Sequence, residues 1–195
     1  RLARKDRAYW RRLEKTDAMR LDLLTVFIAA TTILCGCNKG DDQNSDGAQR
    51  ERILKYTGSL TTPVSERDGV FITRLNKQAA TTSLRVEPGD SVWIDYAMYT
   101  FFSKPDSLFA TNIAALAAEK KFDTRYMSFE PLAVKYGETE LIKGFERGIN
   151  NASVQDSLMI FVPSELAYGN KLVGIVKKST TIAIFADIKK IRKHE

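Results

Sequence analysis

Apolar and polar residues alternate along several stretches of this chain, and each such stretch reads as a strand. In "SVWIDYAMYTFF", Ser91 to Phe102, the side chains of Val92, Ile94, Tyr96 and Met98 fall on one face by the period of two. "DGVFITRL", Asp68 to Leu75, is strand-like after a turn, and "EPGD", Glu87 to Asp90, is a Pro-Gly turn feeding the long strand. "SLMIFV" from Ser157 and "TTIAIFADIKKI" from Thr180 give two more strands. Helical patterning is sparser. Arg50 to Tyr56 predicts a short helix. "TNIAALAAEKKF", Thr111 to Phe122, predicts another, with Asn112 as its cap, Ile113 and Leu116 on one face, and Lys120 and Lys121 at its negative end. Strands outnumber helices and no repeat is visible, so the expected class is α+β with an antiparallel sheet.

Composition narrows the chemistry. The chain has 195 residues and a formal charge of +6. Residues 1–37 carry 8 of the 30 Lys and Arg and 4 of the 24 Asp and Glu, so the remainder holds 22 against 20, a net of +2. That balance gives no electrostatic case for nucleic acid. The one histidine is His194, second from the end. A Ser–His or Cys–His nucleophile and a histidine-rich metal site are therefore not expected, nor does any stretch have EF-hand spacing. No metal and no cofactor is called for.

The first 37 residues read as targeting sequence. Arg20 precedes an apolar run from Leu23 to Leu34, too short for the ~20 residues of a membrane span but suited to a signal-peptide core. "LCGC", Leu34 to Cys37, resembles a bacterial lipobox, which implies cleavage before Cys37 and lipidation of its sulfur. A disulfide between Cys35 and Cys37 would close a strained loop. Residues 1–18 hold seven Lys and Arg ahead of Met19, and they are expected to be upstream sequence outside the native product. The alternatives are a long basic n-region for 1–18 and a buried helix for the apolar run. Residues 19–36 then form the signal peptide, 37–50 a polar tether, 51–86 an extension with a strand, and 87–192 the folded domain. "NKGDDQNSDGAQ", Asn38 to Gln49, has no apolar periodicity, as a tether should not. Its acidic pair resembles the surface-export signals of Bacteroidetes lipoproteins, with Gly40 interrupting the pattern.

Two segments carry a stronger resemblance. "ELIKGFERGI", Glu140 to Ile149, and "VPSELAYGN", Val162 to Asn170, flank the Ser157–Val162 strand. This order resembles the FKBP-type peptidyl-prolyl cis–trans isomerases, with their "VIxGW/FExG" helix start, strand and "PxxxAYG" loop. The resemblance runs from about Glu87 to Ile191. It implies a five- to six-stranded antiparallel sheet wrapped around one short helix, here Lys143 to Asn150, with Ile142, Phe145 and Ile149 on its inner face. It also implies a prolyl pocket. Tyr96 and Phe109 would be walls and Phe145 the floor. The Ile142 N–H and the Tyr168 hydroxyl would be donors to substrate carbonyls. Leu132, Leu141, Ile175, Val176 and Ile184 would contact substrate. Partners implied are proline-containing unfolded or exported polypeptides, the membrane through the lipid anchor, and macrolide ligands. The expected location is the bacterial cell envelope, at the periplasmic or surface face of the outer membrane. Departures from the pattern are specific. Ala110 stands where the family has an aspartate, Leu132 and Ile184 where it has phenylalanine, and "KKST", Lys177 to Thr180, where a Pro-Pro pair is common. An insertion occupies about Ala110 to Ser128. A weakly catalytic chaperone or peptide-binding lipoprotein on the same fold is the alternative reading, and an unrelated surface lipoprotein a third.

Overall fold

A computed structural model describes residues 44–76, 84–138 and 141–195. The signal segment 19–36, Cys37 and residues 1–18 lie outside the described residues. The elements in order are α1 (Asp46–Thr57), β1 (Val64–Arg67), β2 (Val70–Arg74), β3 (Ser91–Phe101) and β4 (Pro105–Thr111), then α2 (Ala114–Glu119), β5 (Leu132–Lys135), α3 (Lys143–Ile149), β6 (Ser157–Val162) and β7 (Thr181–Arg192).

The strands form one antiparallel sheet in the order β1-β2-β6-β7-β3-β4, with β5 also pairing β3. That makes seven strands, where five to six were expected. The surplus comes from the extension: β2 pairs β6 with Ile72 opposite Ile160, and β1 pairs β2. β2 is buried from Val70 to Thr73 and pairs with the equally buried β6, so the extension enlarges the sheet instead of standing apart from it.

Each face of the sheet buries one helix. On one side, Phe145 and Ile149 of α3 join Ile94 and Met98 of β3, Ile160 and Val162 of β6, and Ile182 and Ile184 of β7 in a continuous core. The glycines of "KGFERG" explain why this helix lies so close. A Cβ on Gly144 would sit 2.0 Å from Val162 Cγ1, and one on Gly148 would sit 2.5 Å from Ile160 Cδ1. On the opposite side α1 covers Phe71, Phe101 and Phe161. Tyr56 packs edge-on to Phe101 and Phe161, each at 5.5 Å.

Two expectations are corrected here. The tether was placed through residue 50, but α1 begins at Asp46, with Ser45 as its N-cap and its Oγ accepting from Ala48 N–H at 3.4 Å. Its buried stripe is Gln49, Ile53 and Thr57. Two of those three are polar, so the sequence marked only Arg50 to Tyr56 of this helix and missed its first turn. The second helix was expected over 111–122 with Asn112 capping it. It spans Ala114–Glu119, its N-cap is Ile113, and no side chain caps it. Thr111 ends β4, and the Asn112 carboxamide is engaged with β3 instead.

Candidate functional site

α3 presents Phe145, which is buried, against Tyr96 of β3, with ring centroids 6.2 Å apart at 59°. Phe109 reaches the same region from β4 by way of a β-bulge. Tyr99 pairs with Leu108 and Met98 with Ala110, so Phe109 is the extra residue on its strand. A bulge re-aims a side chain without ending the pairing. The re-aimed ring meets Tyr168 edge to face at 6.2 Å. Tyr96 and Phe109 line one cavity. The four aromatic residues picked out in the sequence thus form one run, Phe145–Tyr96–Phe109–Tyr168.

Tyr168 follows a single 3-10 turn, Ser164–Leu166. The Ser164 carbonyl accepts from Ala167 N–H at 3.0 Å and Gly169 N–H at 2.7 Å, which closes the backbone on both sides of the tyrosine. Ser164 is itself held by α1. Gln49 Oε1 accepts from Ser164 N–H at 2.8 Å and from the Thr181 hydroxyl at 2.9 Å, and Gln49 Nε2 donates to Ser164 Oγ at 2.9 Å. Gln49 was not among the residues singled out in the sequence, because its role depends on partners more than a hundred residues away.

The polar atoms of the pocket are few and open. Burial raises the Tyr96 phenol above its ordinary pKa. Burial, and after it the neighbouring Tyr96, raises that of Tyr168. Both therefore remain O–H donors through neutral pH. Neither hydroxyl has a hydrogen-bond partner among the described residues, and neither has the Ile142 N–H at the start of α3. Ala110 faces Met98 across the strand pair and offers Tyr96 no acceptor.

The remaining predicted contacts divide by burial. Leu132, Leu141 and Ile142 are half-buried and pack on the core. Val176 and Ile184 are fully enclosed within it, beneath the pocket surface. Ile175 is 59% exposed beside exposed Leu172 and Val173, on the outer side of the loop whose Val176 is buried in the core.

The insertion builds something that the sequence did not announce. Its segment lies alongside Tyr96, Phe109, Ala110 and Leu132 and adds Phe122, Met127 and Pro131 to form a cavity of about 600 Å³. The sequence marked an insertion at about Ala110 to Ser128, but spacing alone could not say that the chain after it returns to β3.

Residues 83–185 match the family model described as FKBP-type peptidyl-prolyl cis-trans isomerase, which is more than half of the chain. The chain belongs to this family. FK506-binding protein 1A of Neurospora crassa is 32% identical over 84 residues, covering 41% of this chain and 70% of that protein. FK506-binding protein 2 of Debaryomyces hansenii is 27% identical over 87 residues, covering 44% of this chain and 64% of that protein. Among solved structures, FkpA from Escherichia coli superposes with a TM-score of 0.55 at 16% identity, covering 77% of this chain and 61% of that one. The three FKBP domains of wheat FKBP73 superpose with a TM-score of 0.52 at 18% identity, covering 68% of this chain and 50% of that one. At those identities the two structures establish the FKBP fold alone.

Proposed function

We propose that this chain isomerises X-Pro bonds in exported polypeptides while anchored to the cell envelope through a lipidated Cys37. The observation that carries the catalytic part is the Phe145–Tyr96–Phe109–Tyr168 cluster with its unpartnered donors. The barrier is rotation about a prolyl C–N bond with partial double-bond character, ~20 kcal/mol. Water bonded to the imide carbonyl favours the planar, charge-separated form. With the pyrrolidine ring on Phe145, that water is displaced and the twisted form, whose nitrogen is amine-like, is relatively favoured. The Tyr168 hydroxyl donates to the carbonyl of the residue before proline, and the Ile142 N–H to the carbonyl of the proline. Preorganised donors of this kind need no reorganisation when the bond twists. The Tyr96 hydroxyl, with no carboxylate at position 110, is a third donor facing the same space. A macrolide is a candidate ligand of the same pocket.

Isomerisation of short proline peptides by the purified protein is the test, and rates above buffer are expected. Ala110 favours a second reading, a proline-segment binder with little turnover. Peptide binding without acceleration would select it, and failure of both would remove the prolyl pocket from the account. The anchor is tested separately. One acyl chain gives only marginal membrane binding, so a stable anchor implies several. Cys37→Ser should move the protein from the detergent phase to the soluble fraction. Unchanged partitioning and unchanged mature mass would overturn the anchor.

A further inference from the structure

The cavity built with the insertion extends past the residues that the chemistry above uses, to Phe122, Met127 and Pro131. It opens where β3 loses its neighbours on one side. β4 pairs Ala97 to Phe101 and β5 pairs Ser91 to Ile94, leaving Asp95 and Tyr96 between them. Asn112 fills that gap. Its Oδ1 accepts from Tyr96 N–H at 2.7 Å, and its Nδ2 donates to the carbonyls of Ile94 at 2.9 Å and Glu130 at 3.1 Å. The Thr111 hydroxyl donates to the Tyr96 carbonyl at 2.7 Å. One side chain thus staples both ends of the insertion to β3. The backbone polar groups of the gap are satisfied internally, and much of the wall left to a ligand is apolar: Phe109, Phe122, Met127, Pro131 and Leu132. At about 600 Å³ the cavity is within the range of ligand sites.

Continuity with the prolyl pocket identifies the occupant. Tyr96, Phe109 and Leu132 belong to both, and Ala110 adds only a methyl group to the cavity wall beside Phe109. We propose that this cavity is a second recognition site of the isomerase, taking a bulky apolar side chain carried two or more residues before the substrate proline. The assignment rests on the catalytic reading given above, because that reading sets the direction of the peptide. Tyr168 holds the carbonyl of the residue before proline and packs against Phe109, so the chain leaves that carbonyl past Phe109. Each further residue advances ~3.3 Å in extended form, which carries the next side chains into the cavity.

The test compares two proline peptides that differ only in the residue three positions before proline, phenylalanine or glycine. Isomerisation is followed by magnetisation exchange, without a coupling protease. The phenylalanine peptide should show a KM lower by roughly ten-fold, the effect of burying one such side chain. Met127→Trp, which fills the cavity, should bring its KM up to that of the glycine peptide, and Phe122→Ala should narrow the difference. Equal KM values on the native protein, or a difference that survives Met127→Trp, would overturn the proposal. Should neither peptide be isomerised, the catalytic reading fails, and calorimetric titration of the same peptides still decides this site. Tighter binding of the phenylalanine peptide that is lost in Met127→Trp supports it. A proline-free phenylalanine peptide binding equally well would assign the cavity to an unrelated apolar ligand and overturn it.

Discussion

Removing the Tyr168 hydroxyl isolates one donor, because the ring stays edge-on to Phe109 in Tyr168→Phe. A neutral hydrogen bond contributes about 1 kcal/mol, so kcat/KM should fall about five-fold with little change in melting temperature. Phe145→Ala asks a different question, since Phe145 is both pocket floor and core. Truncating a buried phenylalanine costs about 3–5 kcal/mol. Denaturant unfolding should therefore register this change before any peptide assay can be read. Ala110→Asp adds a carboxylate beside the unpartnered Tyr96 hydroxyl. If the Tyr96 phenol donates to it, turnover should rise several-fold over the native protein. A fall with the fold intact would mean that Tyr96 already serves better as a free donor to substrate. Burial of a charge without a partner is costly, so circular dichroism must accompany the measurement.

At the scale of elements, α1 acts at a distance from its own sequence. Gln49 is its buried link to the turn that carries Tyr168 and to the first residue of β7. Gln49→Ala would leave the Ser164 N–H and the Thr181 hydroxyl buried without their acceptor. At about 1–3 kcal/mol for each of the two unsatisfied groups, a loss of about 2–6 kcal/mol is expected in urea titration. A change below 0.5 kcal/mol would show that water replaces the carboxamide at little cost. What the sequence disclosed follows the same line. Strand positions were legible because apolar alternation writes the buried face directly, as in Val92, Ile94 and Met98. The α3 segment was legible through a motif whose glycines answer to close packing, Gly144 against Val162 and Gly148 against Ile160, and the Tyr168 loop through one whose Gly169 takes a φ of +56°. α1 was only partly legible, because Gln49 and Thr57 occupy its buried stripe. Asn112 read as a cap because its side chain can serve either role, and only the gap between β4 and β5 decides which. The bulge at Phe109 and the cavity beside it depend on strand register across the sheet, which no local pattern contains.

At the scale of the whole molecule, activity and stability should respond differently to pH. The single histidine, His194, lies at the C-terminus, where its backbone N–H donates to Asp90 at 3.2 Å. The pocket donors are phenols raised by burial, so kcat/KM should stay flat from about pH 5 to pH 9, below their ordinary value near 10. Stability should not stay flat. Asp90 is buried in the turn before β3, and burial alone would push its carboxyl up. Lys193 Nζ at 2.9 Å, Glu87 N–H at 2.8 Å and the His194 N–H outweigh that and hold it below the usual carboxylate range. A carboxyl depressed in the folded state stabilises fully above its unfolded value, near 4, and that contribution is lost as pH falls through the folded value. At the other end, Tyr96, Tyr136 and Tyr168 have raised values in the folded protein. Their contribution is complete below about pH 10 and disappears above it, where the unfolded chain ionises first. The melting temperature should therefore drop below about pH 4 and above about pH 10, with a plateau between. Asp90→Asn should lower the plateau, because Lys193 loses one of its two carboxylates and keeps only Glu87. It should also flatten the acid limb, since the amide has no proton to take up. An acid limb as steep in Asp90→Asn as in the native protein would place the titrating carboxyl elsewhere in the fold.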